Sequence, residues 1–173
     1  MSAYQYFVEG ECEKRLIKAF MYVSPVSFVD GKVEVFNFVN EKMSNQRARS
    51  IKRGTKVVIV FDTDTSSTVT LEYNLSVLER IALVDKKNLF LVPSVNNFED
   101  ELLYACNGIS NINQLFSTNG LGEFKKKFVA HKDIYSKMIS VGFDIDKMWS
   151  RNPSGIFTKY TNRSKSLKVR NSK

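Results

Sequence analysis

The feature that most constrains the fold of this chain is a nearly continuous apolar run, KVVIVF, at residues 56–61. Such a run is typical of a strand covered on both faces, as in a parallel sheet with helices on either side. Strand patterns and helix patterns alternate around it, with strands at residues 4–8 and 88–92 and helices at residues 11–21, 71–82 and 97–106. Asn97 has the side chain of an N-cap and opens the last of these helices. The sequence therefore predicts an α/β fold with a mostly parallel sheet.

Three further patterns describe the rest of the chain. Asp30 and Gly31 stand between alternating residues, which indicates either a hairpin or a strand followed by a turn. Residues 40–52 are polar and basic, with weak helical potential. After Asn107 the strand patterns stop, and we expect short helices at residues 124–130, 132–141 and 144–149, the second of them ended by Gly142.

The positive charge of the chain is concentrated at its C-terminal end. The 173 residues fit one domain, and most of the net charge of +8 lies in residues 151–173, which contain no Asp or Glu. We therefore expect an α/β domain with a helical C-terminal extension at residues 1–150 and a basic tail at residues 151–173. The tail is either a solubilising segment or a set of phosphate contacts that attract nucleic acid. The candidate contacts are Arg151, Lys159, Arg163, Lys165, Lys168, Arg170 and Lys173.

Cysteine usage and hydropathy favour a reducing compartment. Cys12 and Cys106 are the two cysteines, and a chain of this length can bury a core without a disulfide. The N-terminal residues do not resemble a signal peptide, and nowhere do about 18 apolar residues follow one another. The sequence predicts a cytoplasmic protein that does not bind membranes.

Acidic side chains follow two of the predicted strands. Glu9 comes directly after the strand at residues 4–8, and Asp62 and Asp64 follow the apolar run. The carboxyl ends of parallel strands meet at one edge of a sheet, where ligands bind. Carboxylates held together there repel one another unless a cation that prefers oxygen ligands, Mg²⁺ or Mn²⁺, neutralises them. Glu13 lies one helical turn after Glu9, within reach of the same ion. The alternative for Asp62 and Asp64 is a helix N-cap or an Asx turn.

Two of these stretches resemble motifs of the Toprim domain, which topoisomerases and primases share. Residues 7–13, FVEGECE, look like the first motif, V-E-G-x-T/S-E/D in the nuclease branch, with Cys12 where Thr or Ser is usual. Residues 59–64, IVFDTD, resemble the second motif, an apolar strand followed by D-x-D. The resemblance covers residues 3–106 and implies a Toprim-like α/β fold, with a mostly parallel four-stranded sheet flanked by helices.

A third stretch is similar to small phage-defence Toprim proteins of the RloB and abortive-infection type. In those proteins a strand is followed by Ser-Asn-Pro-x-Phe-Glu and an apolar helix. Ser94, Phe98 and Glu99 match that spacing, while Val95 and Asn96 replace the Asn and Pro. In the larger overcoming-lysogenization-defect nucleases the Toprim domain is joined to an ATPase. This sequence has no P-loop motif, so the resemblance implies that a separate ATPase partner performs any nucleotide-driven step.

The resemblance implies an Mg²⁺- or Mn²⁺-dependent nuclease that hydrolyses phosphodiester bonds in DNA or RNA, acting as an effector of phage defence. Glu9, Asp62 and Asp64 would hold the metal, with Glu13 as a further catalytic carboxylate and Glu99 in support. The alternative function is a non-catalytic module of the same fold that binds nucleic acid or protein.

Several other residue types carry weaker signals. Lys125, Lys126 and Lys127 are candidates to contact the scissile phosphate, and their alternative is a solvated helix face. His131 is the single histidine, so no zinc spacing exists. Asp144 and Asp146 form a second D-x-D, which we interpret as a helix N-cap. The aromatic residues near the basic segment either stack on bases or pack in the core; they are Trp149, Phe157 and Tyr160.

Overall fold

The computed structural model describes residues 3–171 and shows an α/β fold built on a four-stranded, all-parallel sheet. The strand order is β3-β1-β4-β5, and a separate two-stranded antiparallel sheet pairs β2 with β6. The strands are β1 (Tyr4–Val8), β2 (Val26–Phe28), β3 (Gly31–Val35), β4 (Lys56–Asp62), β5 (Leu89–Ser94) and β6 (Lys168–Arg170). The predicted fold class, a mostly parallel four-stranded sheet flanked by helices, is confirmed at this level.

Helices cover both faces of the sheet. They are α1 (Glu11–Ala19), α2 (Asn45–Arg49), α3 (Val69–Arg80), α4 (Phe98–Ala105), α5 (Leu121–Ala130) and α6 (Ile134–Ser140). The face covered by α1, α4, α5 and α6 buries one hydrophobic core, and the face covered by α2 and α3 buries the other. Within residues 3–171 no helix is long and apolar enough to cross a membrane.

The apolar run at residues 56–61 is explained by these two cores. In β4, Val58 and Val60 face the first core, while Val57, Ile59 and Phe61 face the second. Because successive side chains of a strand point to opposite faces, a strand at the centre of such a sheet needs an apolar residue at every position. The prediction of a central strand is therefore confirmed.

Two helix ends follow the predicted chemistry. Asn97 is the N-cap of α4, and its side-chain oxygen accepts a hydrogen bond from Asp100 N at 3.0 Å. Gly142 follows α6 with φ of +68°, in the left-handed region that favours glycine. Both residues satisfy the backbone requirements of a helix terminus, which local sequence can encode.

The Asp30-Gly31 pair does not form a hairpin. β3 pairs in parallel with β1, and β2 pairs with β6. Gly31 is required by a close approach: a Cβ at this position would lie 2.7 Å from the carbonyl oxygen of Tyr4. The glycine therefore lets β3 pack against the start of β1.

Two expectations for the chain after Asn107 are also wrong. Residues 144–149 form turns rather than a helix, and Asp144 Oδ1 accepts a hydrogen bond from Asp146 N at 2.9 Å, which favours a local turn. A strand does occur late in the chain, because β6 finds its partner in β2 near the N-terminal end. A three-residue strand of this kind has too little periodicity to stand out in the sequence.

The basic C-terminal segment packs against the α/β domain through residue 171. Phe157 and Tyr160 lie in the core on the α3 face, and Leu167 lies in the other core. Arg163 N donates a hydrogen bond to Leu91 O at 2.9 Å, so the segment follows the outer edge of β5. Residues 151–171 are thus structurally part of the domain, and Lys173 lies outside the described residues.

Candidate active site

A cleft of about 360 Å³ opens at the carboxyl edge of the parallel sheet. Glu9 directly follows β1, and Asp62 is the last residue of the neighbouring β4. Glu9 Oε2 accepts a hydrogen bond from Asp62 N at 3.2 Å, which ties the two strand ends together. Glu13, in the first turn of α1, lines the same cleft. The parallel pairing of β1 and β4 therefore brings together three of the acidic residues that the sequence selects.

Asn37 holds Glu9 from the other side, and sequence reasoning missed it. Asn37 Nδ2 donates a hydrogen bond to Glu9 Oε1 at 2.6 Å. Asn37 lies shortly after β3, the neighbour of β1, so its position follows the same rule that selects Glu9 and Asp62. The signal was present in the sequence, but the order of the strands was needed to interpret it.

Glu13 and Asp62 are carboxylates in an environment that disfavours their charge. Burial, with the negative charge of Glu9 and Glu99 nearby, raises the pKa of Glu13 to about 7. Burial, with the charges of Glu9 and Glu13, raises the pKa of Asp62 to about 8. Burial also raises the pKa of Glu9, against the hydrogen bonds that it accepts. Groups of like charge that are held together in this way are common at functional sites.

Asp64 lies apart from the inner carboxylates. It is exposed and does not line the cleft, although its charge contributes to the raised pKa of Asp62. Thr63 fixes the backbone between the two aspartates: Thr63 N donates to Asn96 O at 2.8 Å, and Thr63 Oγ1 donates to Ser94 O at 2.7 Å. Among the described residues neither aspartate caps a helix, because α3 begins only at Val69, after Thr68.

Glu99 and Lys125 form an ion pair at the rim of the cleft. Glu99 is buried in the first turn of α4, and its Oε1 lies 3.2 Å from Lys125 Nζ. Of the three consecutive lysines of α5, Lys125 lines the cleft, whereas Lys127 pairs with Glu123 on the helix surface. The structure therefore distinguishes one lysine from a run that the sequence could not resolve.

The cysteine, the histidine and the aromatic residues that the sequence singles out add no reactive group to the cleft. Burial raises the pKa of Cys12, which lines the cleft, to about 12, so its thiol stays protonated. His131 lies at the end of α5, outside the cleft, and its Nδ1 accepts a hydrogen bond from Asp133 N at 3.2 Å. Trp149, Phe157 and Tyr160 are buried in the cores, so they do not form an exposed stacking platform.

Three of the C-terminal basic residues pair with carboxylates of the domain. Their partners lie on α3, on α4 and in the turn at residues 144–149. The pairs are Arg151 with Glu101, Lys159 with Glu72, and Arg170 with Asp146. Their positive charge is therefore largely matched inside the protein.

Two more of these basic residues donate hydrogen bonds to backbone carbonyls. Arg163 donates to Leu89 O at 2.8 Å, and Lys168 donates to Met148 O at 2.7 Å. Burial lowers the pKa of Lys168 to about 8. Lys165 is exposed. Five of the six C-terminal cations that the structure describes therefore contact the domain.

The donor set of the cleft suits a cation that prefers oxygen ligands. Asp62 Oδ1 is buried and has no hydrogen-bond partner among the described residues, an unusual state for a carboxylate oxygen. Glu9 and Glu13 offer further oxygen atoms, the ligand type that Mg²⁺ and Mn²⁺ prefer. Within residues 3–171 no three His, Cys, Asp or Glu side chains already converge as a set of metal ligands. Side-chain rotation at the cleft would be required on binding.

The fold and the cleft define a class of protein: an α/β domain with an acidic cleft at the carboxyl edge of a parallel sheet. Comparisons with protein-family models, with curated proteins and with solved structures found no match to this chain. The cleft and the sequence motifs are therefore the features that bear on its function.

The raised pKa values predict how the metal-free protein responds to pH. In the folded protein Glu13 and Asp62 keep their protons up to pKa values of about 7 and about 8, whereas the unfolded chain releases them near ordinary carboxyl values. The resulting stability is complete below about pH 4 and is lost as the pH rises through about 7 to 8. In EDTA we expect Asp62→Asn to raise the melting temperature by several degrees at about pH 8, and by much less at about pH 5.

Circular dichroism melts of wild type, Asp62→Asn and Asp146→Asn at both pH values measure this effect. Asp146→Asn removes an aspartate charge from the second D-x-D and should melt like wild type at both. Millimolar Mg²⁺ or Mn²⁺ should raise the melting temperature of wild type at the higher pH and leave Asp62→Asn unchanged. Equal pH profiles for wild type and Asp62→Asn would contradict the described repulsion.

Proposed function

We propose that this protein is a metal-dependent nuclease of Toprim-like fold that hydrolyses phosphodiester bonds in DNA or RNA and acts in phage defence. The observation that carries the proposal is the meeting of Glu9 and Asp62 at the ends of adjacent parallel strands, where Asp62 Oδ1 is buried without a hydrogen-bond partner in residues 3–171. A hard divalent cation would neutralise this cluster, and a phosphate group is a natural further ligand of such a cation.

The Toprim-like identity is supported by the position of the motifs on the sheet. The first motif follows β1 and enters α1, and the D-x-D motif follows β4. An all-parallel four-stranded sheet flanked by helices is consistent with that fold. The same resemblance supports a separate ATPase as partner for any nucleotide-driven step, and a cytoplasmic location fits two free, buried cysteines.

Each residue of the cleft has a chemical task in this proposal. Glu9 and Asp62 would hold Mg²⁺ or Mn²⁺, and Asp64 would join them from its exposed position outside the cleft after a side-chain rotation. The metal, when bound, would activate a water molecule and offset the charge that develops on the phosphate. Glu13 lines the same cleft and would serve there as a general base. Asn37 orients Glu9 through its hydrogen bond, and Glu99 positions Lys125.

A cleavage assay on the wild-type protein tests the proposal. Supercoiled plasmid, single-stranded DNA and transfer RNA are incubated with the protein in Mg²⁺, in Mn²⁺ or in EDTA. We expect at least one of these substrates to be cut in the presence of metal and none in EDTA. Binding of nucleic acid without cleavage under every metal condition would favour the non-catalytic module instead.

Lys125 is expected to contribute to cleavage by contacting the scissile phosphate. Replacing it in Lys125→Met should lower the cleavage rate by roughly a hundredfold, since one well-placed charged donor in an active site is worth about that much. Lys126→Met is the matched control, because Lys126 is exposed on the same helix and does not line the cleft. Single-turnover cleavage rates measure the difference. Equal rates for the two variants would remove Lys125 from the site.

A further inference from the structure

The segment between β3 and β4 is also strongly positive. A count of charge along the chain singles out the C-terminal segment instead, so this second basic segment is easily overlooked. No acidic residue occurs between Glu41 and Asp62. The cations of residues 42–53, here named the α2 basic strip, are Lys42, Arg47, Arg49, Lys52 and Arg53. All are exposed except Arg47, which is half-buried.

The charges of the α2 basic strip are not matched inside the protein. None of the five cations forms an ion pair with any residue in the part of the chain that the structure describes. The Nη1 atom of Arg47 is also buried without a hydrogen-bond acceptor in that part of the chain. The C-terminal segment differs, since Arg151, Lys159 and Arg170 pair with carboxylates there. The five charges of the α2 basic strip are therefore available to a ligand.

The backbone of the strip is held in place by buried contacts. The Asn74 side chain of α3 donates hydrogen bonds to Phe38 O at 2.9 Å and Glu41 O at 2.7 Å, and it accepts one from Met43 N at 2.7 Å. Ala48 and Ile51 are buried in the core beneath the strip. A surface that is already ordered loses little conformational entropy on binding.

The strip begins beside the acidic cleft. Asn37, which donates a hydrogen bond to Glu9, lies five residues before Lys42 in the sequence. Lys42 Nζ lies 5.5 Å from the ring centroid of Tyr73, near the start of α3, the helix that follows the Asp62-Asp64 loop. From there the chain passes through α2 and returns to the start of β4 at Lys56. Asp62 at the end of β4 lines the cleft, so the strip runs from the cleft edge of the sheet to the opposite edge, where β4 begins.

We propose that the α2 basic strip binds the phosphate backbone of the nucleic acid whose scissile bond lies in the cleft. The inference rests on the proposed function and names the surface that holds its substrate. A protein partner fits less well, because protein interfaces centre on apolar contact and no large hydrophobic side chain of residues 36–56 is exposed. A phosphate backbone needs several cations of one sign and no apolar centre.

Binding of a short fluorescein-labelled DNA duplex, and of the same sequence as RNA, tests the proposal by anisotropy in EDTA, where cleavage is absent. The test variant is Arg49→Gln, Lys52→Gln, Arg53→Gln, which spares Arg47 because its guanidinium packs over Phe36. The control variant is Lys18→Gln, Lys86→Gln, Lys132→Gln, which removes the same charge from exposed positions outside the strip.

We expect the test variant to bind roughly tenfold or more weakly at about 100 mM salt and to lose about three units of the log–log salt slope on duplex DNA, while the control keeps the wild-type slope. Equal slopes for the two variants would overturn the strip as the binding surface, and binding to anionic vesicles but to neither nucleic acid would do the same. If the test variant has a lower melting temperature than wild type, Lys52→Gln and Arg53→Gln are measured singly. Each is expected to lose about one unit of the log–log salt slope.

The two hypotheses fail separately. If wild type cuts nucleic acid with Mg²⁺ but the test variant and control bind alike, the cleft stands and the strip is wrong. If wild type binds with a slope that depends on the strip but cuts nothing with any metal, the strip stands and the nuclease is wrong.

Discussion

Asp62→Asn is expected to lower metal-dependent cleavage by roughly a thousandfold or more while leaving the protein folded. Asp62 lies at the carboxyl end of β4, and its buried Oδ1 has no hydrogen-bond partner in the part of the chain that the structure describes. Asparagine keeps the shape of the side chain but removes the charge that would hold the metal. Glu9→Gln should act in the same way, because Glu9 directly follows the neighbouring strand and accepts a hydrogen bond from Asp62 N. Cleavage rates with saturating Mg²⁺ measure both variants.

Asp146→Asn is the matched control for this experiment. It alters an aspartate of the other D-x-D in the chain, which forms a turn and pairs with Arg170 away from the cleft. We expect its cleavage rate to stay within about twofold of wild type, as for other surface changes. Full activity in both Asp62→Asn and Glu9→Gln would show that the cleft is not the active site.

Phe157→Ala is expected to destabilise the folded protein by about 3–5 kcal/mol, the usual cost of removing a buried aromatic ring. Phe157 is 2% exposed and lies against Phe61 of the central strand, with ring centroids 6.0 Å apart. The neighbouring Ile156 is 47% exposed, so Ile156→Ala should change stability by less than about 1 kcal/mol. Urea unfolding at equilibrium measures both changes.

This result would establish that the basic segment is part of the fold. Deletion of residues 151–173 would then remove core residues as well as charge, and its effect on nucleic-acid binding could not be separated from unfolding. A mobile solubilising tail makes the opposite prediction, with Phe157→Ala and Ile156→Ala equally stable. Substitutions of exposed cations are therefore the sharper way to test nucleic-acid contacts.

The sequence alone determined the central part of the architecture. Residues 56–61 are apolar at nearly every position, so the strand they form requires apolar neighbours on both faces. The same reasoning places Glu9 and Asp62 at one edge of a parallel sheet, since the residue that follows a strand lies at its end. Helix ends such as Asn97 and Gly142 were also predictable, because caps satisfy backbone groups within a few residues.

The tertiary structure decided which residues become partners. Alternation at residues 26–38 predicts extended chain but not its neighbour, and β3 pairs with β1 while β2 pairs with a strand near the end of the chain. Asn37 reaches Glu9 across 28 residues of sequence. Arg151 meets Glu101 across 50 residues, and Lys159 meets Glu72 across 87. A count of charge along the chain selects the C-terminal segment, because a cation that pairs with a distant carboxylate looks the same in sequence as an unpaired cation. Periodicity and capping are local properties of the chain, whereas pairing depends on which distant segments the packed core brings together.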